Sequence, residues 1–324
     1  RQRQMCIRDR FIIEDNPEFM ERALNIPKEI GERIRASWDA DELSLYGRFD
    51  FILAKDGTPK ILEFNADTPT SLLEASVIQW QWKEDVFPEC DQFNGIHEGL
   101  VQSWKDIFPK KGEIHFAGAL ENNEDTGTLQ YLASTAMEAG FSTRVLDMQA
   151  LDLQNGRFFD PAGELVNRCF KLYPWEWMVD ESPDGCLAEM EWLEPIWKLV
   201  MSNKAILATL YELFPDSPYV LPCYLSRPRS GLFCKKPIFS REGHNVSVVD
   251  IRNWEEHVRI AETEGDYNTG AYVYQEYAEP TAYSGRYPVI GSWIIGGEAA
   301  GIGIRENRME VTDNLSEFVP HIIG

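Results

Sequence analysis

Two short apolar stretches joined by a tight turn, RFDFILAKDGTPKILEFNADTPT at residues 48–70, constrain the fold more than any other feature. Asp56 and Gly57 lie at the centre, and an Asp-Gly pair flanked by apolar residues is a strong signal for a two-residue hairpin turn. Such a turn places Lys55 opposite Thr58 and fixes the pairing of the residues farther out. The sequence therefore predicts two antiparallel strands whose register follows by counting.

In that register four polar side chains share one face, with Asp50 opposite Glu63 and Arg48 opposite Asn65. Facing carboxylates repel each other and destabilise a sheet. A divalent ion would turn this repulsion into a binding site, since carboxylate and amide oxygens suit Mg²⁺ and its phosphate ligands. Arg48 would then meet phosphate oxygens or a developing negative charge. The alternatives are a solvated polar face and a turn shifted by one residue, which would move these groups to the other face.

Composition limits the class of protein. The 324 residues are 44% hydrophobic, enough for two domains or one elaborated domain, and no apolar run reaches the roughly 18 residues of a membrane span. The formal charge of −22 repels nucleic acid and anionic membranes, so we expect neither as a partner and expect a cytoplasmic protein. An acidic field would also attract a cationic substrate such as a polyamine.

Two local features of composition add to this interpretation. The six cysteines and five histidines are scattered without the spacing of a zinc site, which predicts reduced, mostly buried thiols. Residues 1–10, RQRQMCIRDR, are basic against an acidic background and lack the apolar stretch of a secretory leader. We expect residues 1–10 to be foreign to the fold or disordered.

Hydrophobic periodicity outlines the elements along the chain. It predicts helices at 16–43, 70–87 and 93–107. From about residue 112 the strand IHFAGAL, the helix TGTLQYLASTAMEAG and the strand FSTRVLDM follow one another, as in a small parallel α/β unit. No G-x-G-x-x-G follows the first of these strands, so a dinucleotide fingerprint is absent. A helix-rich segment comes next, and several β segments follow Pro222.

Cationic residues lie in the later β segments. In LFCKKPIFSREGHNV, one of Lys235 and Lys236 must face inward, where a lysine is costly unless it meets an anion. The loop that follows could fold over phosphates, with backbone N–H groups near Gly243 and the charge of Arg241. Arg305 ends a glycine-rich hairpin whose turn we expect at Gly296-Gly297. Solvated lysines and a sheet corner are the ordinary alternatives.

Three further sets of residues are candidates for chemistry. Gln275-Glu276 ends the strand YVYQE, where an amide and a carboxylate can read an adenine and a ribose. Lys171 and Lys204 lie in aromatic or helical segments, although each is more often a surface lysine. Glu124-Asp125, in the loop after IHFAGAL, lies where α/β units bind ligands and could hold an amine. An ordinary surface strand and an ordinary acidic loop remain the alternatives.

Taken in order, several motifs resemble the glutathionylspermidine synthase family, and most closely its stand-alone predicted acid–amine ligases, which lack an amidase domain. The motifs are RFDF, ILEFNADTPTSLLEA, FKLYPWEW, WLEPIWK, SNKAIL, KKPIFSREGHNV, YVYQEY and GSWIIGGEAAGIGIRE. The resemblance implies an α/β (α+β) chain with an ATP-grasp-like fold, in which metal-binding strands precede a nucleotide lid. It also implies a small parallel, pre-ATP-grasp-like α/β unit.

The resemblance implies a division of the chain and roles for single residues. We expect a metal and substrate core at 11–111 and 286–324, a substrate-side unit at 112–180, and a helical linker with the nucleotide lid at 181–285. Two Mg²⁺ ions would be bound by Asp50, Glu63 and Asn65. Residues expected to contact ATP are the catalytic Arg48 and, with it, Phe49, Asp50, Lys204, Lys236, Gly243, Gln275, Glu276 and Arg305. Residues expected to bind the acid or the amine are Thr68, Thr70, Lys171, Glu124 and Asp125.

The implied activity is an ATP-dependent acid–amine ligase that forms an amide through an acylphosphate from a small peptide-like acid and an amine. This chain departs from the family pattern at Thr68-Pro69-Thr70, where the synthetase has serines, and its acidic pair aligns only loosely. Glutathione and spermidine are therefore open as substrates. The alternatives are a true glutathionylspermidine synthetase and a nucleotide-binding protein whose ligase activity has decayed.

Overall fold

The computed structural model describes Ile13 and residues 17–241, 243–260, 270–310 and 316–324. Residues 1–10, which we expected to be foreign or disordered, lie outside the described residues. The helices are α1 (Pro17–Arg22), α2 (Lys28–Asp39), a π-helical turn (Glu74–Ile78) that continues as α3 (Gln79–Val86), α4 (Ile96–Ile107), α5 (Asn123–Glu138), α6 (Trp175–Glu181), α7 (Pro183–Leu187), α8 (Lys198–Ser202) and α9 (Ile206–Leu213).

Strands alternate with these helices and dominate the second half of the chain. They are β1 (Tyr46–Leu53), β2 (Pro59–Asn65), β3 (Glu113–Gly118), β4 (Ser142–Asp147), β5 (Asp152–Gln154), β6 (Arg157–Phe159), β7 (Leu165–Val166), β8 (Arg168–Leu172), β9 (Glu191–Leu193), β10 (Cys223–Tyr224), β11 (Gly231–Pro237), β12 (Ser247–Arg252), β13 (Glu255–Ile260), β14 (Tyr272–Glu276), β15 (Tyr287–Ile295), β16 (Glu298–Asn307) and β17 (Glu317–Val319).

The described strands form four sheets. A central antiparallel sheet has the order β17-β16-β15-β1-β2, and a second antiparallel sheet, the lid sheet, has the order β10-β14-β11-β12-β13. A parallel sheet, β4-β3-β8-β9, and a small antiparallel sheet, β5-β6-β7, complete the set. The predicted parallel α/β unit is therefore confirmed, with α5 connecting β3 to β4.

Two predicted local structures are wrong in their boundaries. The helix predicted at 16–43 is two helices, because Asn25 adopts a positive φ of 58° and Pro27, which cannot continue a preceding helix, starts the second one. The acidic loop ENNED is largely helical, since Asn122 caps α5 and its side chain accepts a hydrogen bond from the Glu124 amide at 2.9 Å. Glu124 and Asp125 therefore lie in the first turn of a helix, where carboxylates are stabilised by the helix dipole.

The turn between β1 and β2 also differs from the prediction. Three residues, Lys55, Asp56 and Gly57, separate the paired Ala54 and Thr58, and the Ala54 amide donates to the Thr58 carbonyl at 3.0 Å. Positive φ is confined to Gly57, at 81°, so the turn is not the two-residue type that requires it at both positions. The strands leave this turn one residue out of the predicted register.

A β-bulge then restores the register that the sequence predicts. Phe51 pairs with Ile61, but the next pair along the ladder is Asp50 with Glu63, so Leu62 is the extra residue on β2. From this point to the open end of the hairpin, the pairing is the predicted one. Because of the bulge, Glu63 lies on the same face as Asp50.

The bulge also ties the hairpin to the lid sheet. The Ile61 carbonyl accepts a hydrogen bond from Gln275 Nε2 at 2.9 Å, and the Leu62 carbonyl accepts one from Lys236 Nζ at 3.2 Å. The Ile61 amide donates to the Tyr219 carbonyl at 2.9 Å. Backbone groups that the bulge removes from the ladder thus find partners in or near the lid sheet, as buried polar groups must.

Two large clusters of apolar side chains form most of the buried core of the described residues. One cluster joins α1, α2, α8 and α9 around Trp175, and the other joins α4, α5 and the parallel sheet around Trp104, Phe116 and Phe170. The three rings of the second cluster contact one another with centroids 5.6–6.2 Å apart, mostly edge to face. None of the described helices is long and apolar enough to cross a membrane.

A buried ion pair fixes the open end of the hairpin. Glu194 accepts hydrogen bonds from the Ser44 hydroxyl at 2.5 Å and from the Tyr46 amide at 3.1 Å. Lys198 lies 3.6 Å from Glu194 and donates to the carbonyls of Tyr46 and Ala66, at 3.0 and 3.2 Å. One pair of side chains thus holds the start of β1 and the end of β2 together.

We expect Glu194→Ala to lower the free energy of unfolding by roughly 3–5 kcal/mol, because it leaves Lys198 buried without its counter-charge. Urea denaturation measures the loss. Glu191→Ala is the matched control, since that exposed carboxylate pairs with Arg168 at the surface and should cost far less. Equal losses in the two variants would contradict the role given to Glu194.

Candidate active site

Four polar side chains meet on one face of the β1–β2 hairpin, as the register predicts. Arg48 binds Asp50 through two contacts, Nε to Oδ1 at 2.6 Å and Nη2 to Oδ2 at 2.9 Å. Asn65 Nδ2 donates to Asp50 Oδ2 at 3.2 Å and to Glu63 Oε1 at 3.1 Å. Two carboxylates, an amide and a guanidinium therefore form one connected group.

The neighbouring strands of the central sheet shape this group. Gly291 of β15 lies opposite Asp50, and a Cβ atom there would come within 2.7 Å of Arg48 Cδ. Glycine at this position therefore makes room for the Arg48 side chain. From β16, Arg305 Nη2 reaches Asp50 Oδ2 at 2.8 Å. Burial and the nearby Arg48 charge lower the pKa of Arg305 below its usual value.

Glu63 contacts one lysine and lies in the field of a second. Lys204 Nζ lies 3.2 Å from its carboxylate, and Lys236 Nζ binds Gln275 Oε1 at 2.8 Å on the lid side. Burial alone would raise the pKa of Glu63, but the charges of Lys204 and Lys236 outweigh it and lower the pKa to about 2. Glu63 is therefore ionised at neutral pH.

The orientation of the adjacent lysines agrees with the sequence prediction. Lys236 is buried and points inward to the Leu62 carbonyl and Gln275, whereas Lys235 points to the opposite face and pairs with Glu256 at 2.8 Å. Lys204, which sequence alone would more often place at the surface, is buried and also donates to the Ser240 carbonyl at 2.5 Å.

Charge is unbalanced in this cluster. Asp50 faces two arginines and Glu63 faces two lysines, so four cations meet two carboxylates. Like charges in a partly buried site repel unless an anion joins them. The cluster can therefore accept a polyanion such as a chain of phosphates.

A cavity between the hairpin and the lid sheet adjoins the lysines. Leu62 and Tyr277 line part of this cavity. The polar side chains of Lys204, Lys236 and Gln275 line it as well. Other predicted ATP contacts at this cavity are Asp50, Gly243 and Glu276.

A second cavity lies beyond Glu63, between the end of the hairpin and the parallel α/β unit. It is lined by cationic and hydroxyl side chains and by the first turn of α5, which contributes the acidic residues Glu124 and Asp125. Tyr173 and Trp177 add an aromatic wall, with ring centroids 5.4 Å apart. Other predicted site residues at this cavity are Arg48, Asn65, Thr68, Thr70 and Arg305. Glu63 and Gly243 line both cavities, so the two spaces meet at the hairpin face.

Two predicted site residues point elsewhere. The ring of Phe49 stacks on Phe64, with centroids 4.1 Å apart, on the reverse face of the hairpin. Lys171 has no exposed side-chain surface and pairs with Asp67 at 2.7 Å. The structure brings the remaining predicted residues to one cavity or the other.

The sequence prediction missed Asp67 and Glu176. Asp67 follows directly after the motif EFNA, and its side chain is buried. The sequence gives no sign of this burial, because a polar residue in a turn is normally exposed. Glu176 pairs with Arg241 at 2.7 Å, and Arg241 also donates to the Thr68 hydroxyl. The loop after β11 is thereby fastened to the wall of the second cavity, a contact that depends on tertiary structure alone.

The residue types near Glu63, two carboxylates and an amide, are those that bind a hard divalent cation in proteins. The amide nitrogen of Asn65 lies within hydrogen-bond distance of both carboxylates, so two carboxylates and one amide group lie side by side on this face. Asp50 already forms salt bridges with Arg48 and Arg305, and an ion bound there would share the Asp50 carboxylate with these two arginines. Among the described residues, no group of three or more His, Cys, Asp or Glu side chains is arranged to hold a metal.

Sequence comparison identifies relatives over most of the chain. Residues 3–324 match the family described as glutathionylspermidine synthase preATP-grasp. A Haemophilus influenzae protein, provisionally named an acid–amine ligase, is 39% identical over 303 residues, covering 89% of this chain and 77% of that protein.

Two longer relatives carry specific names. Trypanothione synthetase of Crithidia fasciculata is 29% identical over 331 residues, covering 92% of this chain and 50% of that protein. The bifunctional glutathionylspermidine synthetase/amidase of Escherichia coli K12 is 27% identical over 350 residues, covering 97% and 55%. The chain spans about half the length of these two synthetases.

Solved structures extend the likeness at the level of the fold. A Methylobacillus flagellatus protein, provisionally a gamma-glutamylcysteine synthetase, superimposes with a TM-score of 0.54 at 9% identity, covering 98% of this chain and 87% of that one. A glutathione synthetase-like effector of Globodera pallida gives 0.54 at 12% identity, covering 91% and 86%. At such identities the likeness concerns the fold, which is mixed α/β. With the family match over nearly the whole length, the chain belongs to the glutathionylspermidine synthase family.

Proposed function

We propose that this chain is an ATP-dependent acid–amine ligase, which joins a carboxylic acid to an amine through an amide bond. The observation that carries the proposal is the meeting of two cavities at Glu63, inside a cluster with excess positive charge. One cavity suits a nucleotide and the other suits an acid with an amine. The named synthetases and the acid–amine ligase among its relatives support the same reaction class.

ATP would bind between the central sheet and the lid sheet, as in an ATP-grasp arrangement whose metal-binding strands come first in sequence. Lys204 and Lys236 would contact the phosphates, while Gln275 and Glu276 would meet the base and the ribose. On this proposal the metal and substrate core is 11–111 with 286–324, the substrate-side unit is 112–180, and the linker and lid are 181–285. The apolar lining beside the Leu62 bulge supports a place for the base.

The acid would occupy the second cavity, beside the hydroxyls of Thr68 and Thr70. Its carboxylate would attack the γ-phosphate of ATP to give an acylphosphate and ADP, and the amine would then displace phosphate and form the amide. Arg48 and Arg305 would stabilise the charge that develops during both transfers, and their position in the lining of this cavity supports that role. Glu124 and Asp125 would hold a cationic part of the amine.

Mg²⁺ would be held by Asp50, Glu63 and Asn65, the hairpin groups that lie within hydrogen-bond distance of one another. When bound, magnesium neutralises the charge of the phosphates. The two carboxylates also serve without it, since they orient Arg48 and Lys204 toward the junction of the cavities.

We expect Glu63→Gln and Asn65→Ala to lower the rate of ADP release by at least about a hundredfold, because each removes a group at the junction that positions charge against the phosphates. The assay follows ADP from Mg·ATP over small acids crossed with amines, and removal of Mg²⁺ by a chelator should abolish the signal. Glu89→Gln, at an exposed residue that lines neither cavity, is the control.

Wild-type turnover in folded Glu63→Gln would contradict the proposed site. A wild-type protein that binds Mg·ATP but forms no amide with any pair would instead indicate a nucleotide-binding protein with decayed ligase activity.

Glutathionylspermidine synthesis is the second candidate, because relatives of that name cover nearly all of this chain and an acidic pair lines the second cavity. Incubation with glutathione, spermidine and Mg·ATP should then give the conjugate, detected by mass spectrometry. Absence of the conjugate, with turnover on other pairs, would reject this substrate choice and leave the ligase standing.

A further inference from the structure

Lys171 is buried under the second cavity with every donor direction occupied. Its Nζ binds Asp67 Oδ1 at 2.7 Å and the Tyr173 carbonyl at 2.9 Å, and it lies 4.3 Å from the centroid of the Trp175 ring. An ammonium has three N–H groups, and a carboxylate, a carbonyl and an aromatic face account for all of them. Neither Lys171 nor Asp67 has exposed side-chain surface.

Asp67 also binds the segment that follows β8. Its other oxygen, Oδ2, accepts a hydrogen bond from the Trp175 amide at 2.8 Å. The pair therefore joins the end of β2 to the segment that follows β8. Both segments form walls of the second cavity, one through Thr68 to Thr70 and the other through Tyr173 and Pro174.

We infer that Lys171 is a positioning residue, whose ion pair with Asp67 sets the spacing between the two walls of the acid cavity, and that it does not touch the acid itself. The inference rests on the proposed function of that cavity. Burial lowers the pKa of Lys171 while Asp67 opposes the change, so the ammonium depends on its partner. A substrate contact would require the buried lysine to give up at least one of its present partners.

A double-mutant comparison tests the inference. Lys171→Met removes the ammonium and strands Asp67, whereas Lys171→Met with Asp67→Asn removes both charges and keeps an oxygen to accept from the Trp175 amide. Lys83→Met is the control, since Lys83 is also buried but lies on α3, where its partner Glu84 is half exposed. Hydrogen–deuterium exchange of the free protein and steady-state kinetics with the acid–amine pair found by the ADP screen are the two readouts.

We expect Lys171→Met to speed exchange in 67–72 and 173–177 and to raise the acid KM about tenfold or more, with the Kd for ATP unchanged. The double variant should recover, with an acid KM at least threefold below that of Lys171→Met. An unchanged acid KM in Lys171→Met would mean that the lysine only stabilises the fold. An equal loss in the single and double variants would mean that Lys171 touches the acid. Either result overturns the inference.

Two further outcomes are separable. Should Lys171→Met fail to fold, Asp67→Asn opens the same pair from its other side and takes its place in the comparison. Should the wild-type protein turn over no acid–amine pair, the proposed function fails, but exchange in the two walls still tests the pair. Unchanged exchange in every variant would then reject the positioning role on its own.

Discussion

The pairing of β1 with β2 is the interaction on which the site depends, because it alone brings Asp50 and Glu63 to one face. A single extra residue, Leu62, decides the outcome. Without the bulge, the register that leaves the turn would put Glu63 on the opposite face from Asp50. The same bulge frees the backbone carbonyls that receive Gln275 and Lys236, so the local irregularity both orients the carboxylates and docks the lid sheet.

Electrostatics makes this arrangement stable and also useful. Facing carboxylates predicted from sequence suggested that a metal ion would be needed to relieve their repulsion. In the structure Arg48, Arg305 and Lys204 contact the two carboxylates directly, with Lys236 near Glu63. The hairpin face therefore carries excess positive charge before any ligand binds. A proposed Mg·ATP would find the cations already oriented, which is the condition for catalysis by charge stabilisation without large rearrangement.

Sequence predicted the parts of the structure that follow from local chemistry. The strands, the parallel unit, the Gly296-Gly297 turn and the opposite orientations of Lys235 and Lys236 all follow from alternation and turn residues. The hairpin turn was wrong by one residue, yet the pairing of Asp50 with Glu63 was right, because the bulge compensates. A bulge whose carbonyls are satisfied by a distant sheet leaves no trace in the hairpin sequence. Burial explains the difference at Lys171, since nothing local shows that Lys171 meets Asp67. The position of Phe49 on the reverse face follows instead from alternation with Arg48 and Asp50.

The central claim is that the β1–β2 face holds the metal-bound phosphates of a nucleotide. A crystal grown with Mn²⁺ and a non-hydrolysable ATP analogue tests it most directly, because anomalous scattering locates the ion itself. We expect an ion bound by Glu63 and Asn65 and next to the phosphates of the analogue. Phosphates bound away from this face, with every ion remote from Asp50, Glu63 and Asn65, would contradict it.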